Sequence, residues 1–141
     1  VTKAYDGRFS DVSGSEWYSE ALMKAIEEGL IYGYPDGTFG PNRFITRAET
    51  CAIVNRTLGR GPHKDHLLPT QTMIVWPDNR CTSAWYYAQM QEATNSHDYT
   101  WTTDQGERVE NWTGKLEERD WAALERTWSN ANSAPGGEVM Q

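Results

Sequence analysis

Apolar residues recur at helical spacing early in the chain. Trp17, Ala21, Leu22, Ala25, Ile26 and Leu30 make one stripe, while Glu20, Lys24, Glu27 and Glu28 lie largely off it as a solvated face. Ser13 and Glu16 have capping-box spacing, which predicts the start of this helix, and Gly29 predicts its end. The pattern then breaks. Tyr34-Pro35-Asp36-Gly37 predicts a tight turn, with Pro presetting φ and Gly free to take a positive one. Thr46 and Glu49 form a second capping box. The helix it opens carries Ala48, Cys51, Ala52, Val54 and Leu58 as apolar contacts and ends at Gly59.

The pattern then partly repeats. Phe9-Ser10-Asp11-Val12 aligns with Trp76-Pro77-Asp78-Asn79, and Trp17-Tyr18 with Trp85-Tyr86. Thr82 or Ser83 caps the matching helix, which Trp85, Ala88, Gln89, Glu92 and Ala93 continue. Beyond it the copies diverge. The segment from His97 to Asn111 reads as a hairpin or irregular loop. A last helix is expected from about Asp120, with Trp121, Leu124 and Trp128 on one face. These signals divide the chain into a linker or upstream tail (1–8), a first unit (9–60), a connector (61–75), a second unit (76–130) and a flexible tail (131–141). Phe9 is the first residue expected to dock into a core.

The chain has 141 residues, room for one compact domain or two small modules sharing a core. Mean hydropathy is −0.76. Seven Trp and seven Tyr offset the modest aliphatic content, because each aromatic buries a large area. A net charge of −7 argues against nucleic acid and against an anionic membrane face. No apolar run approaches a membrane span, so no membrane insertion is expected. No signal peptide is present, and a chain opening on Val1 is expected to be a processed or excised piece.

No phosphate loop, nucleophile elbow or HExxH motif occurs, so no catalytic residue and no cofactor is assigned. The Tyr34–Thr38 segment has too few acids for a calcium loop. His63 and His66, with Asp65, lack a second pair of ligands, so no metal site is assigned. Cys51 belongs on the inner face of its helix; pairing with Cys81 depends on a Cα separation that sequence does not give. The sequon-like triplets at Asn55 and Asn111 read as chance. Arg47 has two readings. It is either a solvated surface charge or, beside free helix N-terminal amides, a clamp for a carboxylate or phosphate. Trp17 also has two: a core anchor, or the wall of a sugar site.

FSDV, Trp17, an alanine-rich helix, and then GLIYGYPDGTFGPNRFITRAE with a second short helix resemble an S-layer homology (SLH) module from Phe9 to about Leu58. WPDN, AWYY and QEATNSHDY resemble a divergent SLH module, without the DGTF turn or TRAE; Glu118-Arg119-Asp120 stands near the equivalent helix start, but the unit is expected to act as a packing partner that completes a groove rather than to repeat Arg47. The resemblance implies a mainly α fold of tandem helix–loop–helix modules, packed as part of a pseudo-threefold bundle, with short irregular or hairpin segments between helices. It implies an extracellular protein of the cell surface or S layer, held non-covalently on a Gram-positive wall. The implied ligand is a pyruvylated secondary cell-wall polysaccharide. Arg47 would pair with the pyruvate carboxylate; Gly33, Tyr34 and Asp36 would border the groove, and Asp11 and Trp17 would line it. Other SLH modules, in the same or neighbouring chains, are the second implied partner. The alternative is a structural or self-assembly module without glycan binding.

Overall fold

The computed structural model describes residues 3–132. The expected tail at 131–141 therefore lies outside the described residues from 133 onward. In order come α1 (Ser19–Glu27), α2 (Arg47–Thr57), two short 3₁₀ turns (Lys64–His66 and Thr70–Thr72), α3 (Tyr87–Thr94), β1 (His97–Asp104), β2 (Glu107–Lys115) and α4 (Trp121–Asn132). The regular elements are thus mostly helical, with one antiparallel hairpin. α1 and α2 are joined by the long irregular segment 28–46, and α2 packs mainly on α3 of the second unit.

The first unit's core is small. Phe9, Val12 and Leu22 are buried, with Tyr5, Tyr18, Ile26, Ile31 and Phe39 packed round them. Phe9 and Phe39 stack with ring centroids 5.6 Å apart. Tyr5 joins this cluster and its hydroxyl accepts the Phe9 amide at 2.7 Å, so docking begins ahead of Phe9.

The stop signals act as expected. Gly29 and Gly59 both take positive φ, at 69° and 66°. Each time the next residue's amide reaches back over the glycine, Leu30 to Ala25 and Arg60 to Asn55, both at 2.9 Å. The second start signal also holds. Thr46 Oγ1 accepts the Glu49 amide at 3.2 Å, and the Thr46 amide donates to Glu49 Oε2 at 2.9 Å. Thr46→Ala is therefore expected to cost about 1 kcal/mol in urea unfolding, with the cooperativity unchanged.

The first start signal is overturned. α1 begins at Ser19, behind an N-cap, Tyr18, that makes no side-chain cap bond. Ser13 Oγ instead meets Ser15 Oγ at 2.8 Å. Residues 14–18 form turns and a bend, so Trp17 precedes the helix and is 91% exposed. The second unit does the same: α3 begins at Tyr87, not at Thr82 or Ser83. Trp17–Tyr18 and Trp85–Tyr86 are both edge-on pairs at 5.5 Å, so the internal repeat extends to side-chain geometry.

The connector and hairpin complete the second unit. Gln105 and Gly106 both have positive φ, the geometry of a two-residue hairpin turn that follows strand twist. The connector lies along β2, with the Glu110 amide donating to the Gly61 carbonyl at 2.8 Å. Behind this edge Glu92, His97 and Glu110 are buried together. Asp120 caps α4 through the Ala123 amide at 2.9 Å, while Trp121, Leu124 and Trp128 stay exposed. Cys51 is buried and Cys81 exposed, and both are free thiols. Asn55 is buried and donates to Gln89, which leaves no room for a glycan.

Candidate functional site

The irregular segment between α1 and α2 is held by one carboxylate. Asp11 accepts the amides of Phe39 and Gly40, both at 2.8 Å. Those amides, the Phe39 one foremost, hold the Asp11 carboxyl below its ordinary range. Gly37 has φ of 81° and its amide closes on the Tyr34 carbonyl at 3.0 Å. Asp36 Oδ1 accepts from the Thr38 hydroxyl at 2.6 Å and the Thr38 amide at 3.0 Å, completing the turn.

The folded segment walls a cleft of about 540 Å³ against α2. Tyr32, Gly33, Tyr34, Phe39 and Pro41 line one side, with Ile45, Glu49, Ala52 and Ile53 opposite and Trp85 reaching in from the second unit. Two cations border it. Arg43 lies 4.4 Å over the Tyr34 ring, and Arg56 lies 4.4 Å over the Tyr32 ring. The Tyr34 hydroxyl donates to Glu49 Oε1 at 2.9 Å, so the capping glutamate also ties turn to helix. That bond raises the Tyr34 hydroxyl above its usual range. The Thr46 amide, the larger cause, and Tyr34 together hold Glu49 low. A smaller cleft of about 330 Å³ is lined by Trp17, Tyr18 and the apolar face of α1; it shares Ile31, Phe39 and Pro41 with the first.

Arg47 stands elsewhere, in the first turn of α2. Its Nη1 donates to both carboxylate oxygens of Asp78, at 2.7 and 2.8 Å. The guanidinium also lies 5.1 Å over the Trp76 ring. Asp78 is the repeat counterpart of Asp11. Asp11 is spent on a loop that the second unit lacks, so Asp78 is available to the cation. The pair is about half exposed, which leaves it open to exchange with an outside anion.

The predicted site residues thus fall into three places. Gly33 and Tyr34 share the larger cleft, Trp17 lines the smaller one, and Arg47 faces the second unit. Asp11 and Asp36 organise the loop rather than line either cleft. Sequence reasoning missed Arg43, Arg56 and Tyr32. It also missed Trp85 as a cleft residue, although the repeat alignment to Trp17 was a usable signal.

The S-layer homology domain family matches residues 8–51. Cell surface glycoprotein 1 of Acetivibrio thermocellus is 35% identical over 92 residues, 65% of this chain and 4% of that protein. The Cellulosome-anchoring protein of the same organism is 33% identical over 92 residues, 65% of this chain and 19% of its own length. The Middle cell wall protein of Brevibacillus brevis is 26% identical over 80 residues, 57% of this chain and 7% of its own. The chain therefore spans less than a fifth of the length of these relatives. No solved structure matches. At 92 residues the aligned stretch is longer than the first unit. The chain carries, at residues 8–51, an S-layer homology domain, of a non-catalytic family that anchors proteins at the cell surface.

Proposed function

We propose that this chain is a non-covalent wall-anchoring module that works outside the cell, at its surface, and binds a pyruvylated secondary cell-wall polysaccharide through Arg47. The observation that supports this most is the Arg47–Asp78 pair. A guanidinium at a helix N-terminus, beside Trp76, already holds a half-exposed carboxylate. A pyruvyl group offers the same planar anion, and a guanidinium recognises it better than an ammonium does. Helix N-terminal amides add partial positive charge, which favours an anion within an acidic chain. Gly33, Tyr34 and Trp17 supply backbone access and aromatic surface for the sugar rings, with Asp11 and Asp36 fixing the loop that presents them.

Co-sedimentation with Gram-positive wall sacculi tests the reading. Binding is expected to need the polymer and its pyruvate. Arg47→Ala is expected to weaken it by about 2 kcal/mol or more, roughly thirtyfold. Asp78→Asn removes only the internal competitor and is expected to retain binding. Equal sedimentation of Arg47→Ala and the native chain would overturn the proposal.

A second reading rests on the apolar rim. Phe44 is 100% exposed and Ile45 58%, beside the larger cleft. A further SLH module, of this or a neighbouring chain, fits such a surface. Assembly of that kind would raise the mass in solution and depend neither on Arg47 nor on pyruvate.

A further inference from the structure

The connector's histidines meet a carboxylate that is distant in sequence. His66 Nε2 is 2.9 Å from Asp104 Oδ2, and His63 Nδ1 is 3.8 Å from the same oxygen. Asp104 ends β1 at the hairpin turn, whereas both histidines belong to the first 3₁₀ turn and its N-cap. One ligand atom from each of the three lies within 4.8 Å of the others. Their side chains are 22–30% exposed, enough for an ion and a water to enter.

We propose that His63, His66 and Asp104 form a binding site for a divalent transition cation of the zinc type, clipping the connector to the hairpin. First, the ligand set is two imidazoles and one carboxylate with an open position, a composition zinc accepts and calcium or magnesium does not prefer. Second, the spacing fits. Bonds of about 2.0–2.1 Å in tetrahedral geometry put ligand atoms about 3.3 Å apart. The two distances to Asp104 straddle that value, and His63 Nδ1, which now accepts the Asp65 amide at 3.4 Å, gives up that weak bond to take the ion. Third, His66 is already oriented as a ligand. Its Nδ1 faces Asn111 Oδ1 at 3.2 Å; donation there leaves the Nε2 lone pair aimed at the shared point.

The buried trio Glu92, His97 and Glu110 is a weaker candidate. Arg60 Nη1 already stands 3.3 Å from Glu92 Oε1, and its charge repels a metal ion. At the His63 site Asp65 adds a second carboxylate, 3.9 Å from the ring nitrogen.

The test is titration of the whole chain with zinc chloride by calorimetry, in a Cys81→Ser background that removes the exposed thiol. One equivalent is expected to bind. His63→Gln and Asp104→Asn should each weaken it at least tenfold, and Asn111→Ala about tenfold as loss of an orienting partner. Hydrogen exchange at the hairpin turn should slow with zinc in the native chain but not in His63→Gln. Circular dichroism establishes that each variant is folded. Absence of stoichiometric binding, or binding unchanged in both His63→Gln and Asp104→Asn, would overturn the site.

Discussion

Gly33→Ala is expected to lower folding stability by about 3 kcal/mol, whereas Gly37→Ala in the same loop should lose only about 1 kcal/mol. Both glycines have left-handed backbone, with φ of 76° and 81°. An alanine at either carries the cost of that conformation, about 1–2 kcal/mol. The difference is what the new methyl meets. At Gly37 nothing lies within 4 Å. At Gly33 a Cβ would fall 2.2 Å from Phe9 Cε1 and 3.0 Å from the Thr38 carbonyl oxygen. Phe9 is buried and stacked on Phe39, so its ring has no free direction in which to retreat. Overpacking of that kind typically costs a further 1–3 kcal/mol. Urea midpoints of the two variants decide the matter; equal losses would mean that the loop, not the core, absorbs the methyl.

Gly33 also marks the limit of what the chain reveals by itself. A turn motif announces that a glycine takes positive φ, and Gly29, Gly37 and Gly59 do so where local chemistry says they should. The partner that makes Gly33 irreplaceable is Phe9, twenty-four positions away in sequence, and no spacing rule points to it. The same division runs through the site. The Thr46–Glu49 cap is legible because both halves are local, and Gln105-Gly106 is a local turn signal that favours the hairpin over an irregular loop. Trp17 was misplaced because helical spacing continues smoothly into the turns before Ser19, and periodicity does not say where a helix begins. Arg47–Asp78 and His66–Asp104 span 31 and 38 residues. Charged residues have many possible partners at such separations, so only the packing of α2 on α3, and of connector on hairpin, selects between them.

The largest loss is expected at Glu92. Its side chain is 1% exposed and serves three partners: Trp112 Nε1 at 3.1 Å, His97 Nε2 at 3.3 Å and Arg60 Nη1 at 3.3 Å. Glu92→Ala leaves the buried Trp112 N–H without its acceptor and takes one carboxylate from a charge cluster in which His97 keeps only Glu110, at 3.4 Å, and Arg60 only the residue-92 carbonyl, at 3.3 Å. Breaking a buried pair in this way costs about 3–5 kcal/mol, enough to unfold a marginal domain. Glu110→Gln keeps the shape and is expected to cost about 1 kcal/mol or less. Burial, foremost, and the neighbouring Glu92 push the Glu110 carboxyl above its ordinary range, which disfavours its charged form.

The imidazole makes the same cluster pH-dependent. Burial alone would lower the His97 value, but Glu92, the Asn95 carbonyl and Glu110 outweigh it and hold the group above its ordinary 6.5. A raised value means that the folded chain binds this proton more tightly than the unfolded chain does. The resulting stability is fully present below about pH 6.5 and is lost as pH rises through the folded value. Glu110, also raised, acts in the same direction from its own ordinary value upward. His66, raised chiefly by Asp104, adds to the slope above pH 6.5, so His66→Gln serves as the background. In that background, with chelator present, urea stability is expected to fall from pH 6.5 to 8.5, and His97→Gln should flatten the fall. A slope that survives His97→Gln unchanged would mean that Arg60 alone balances the two glutamates.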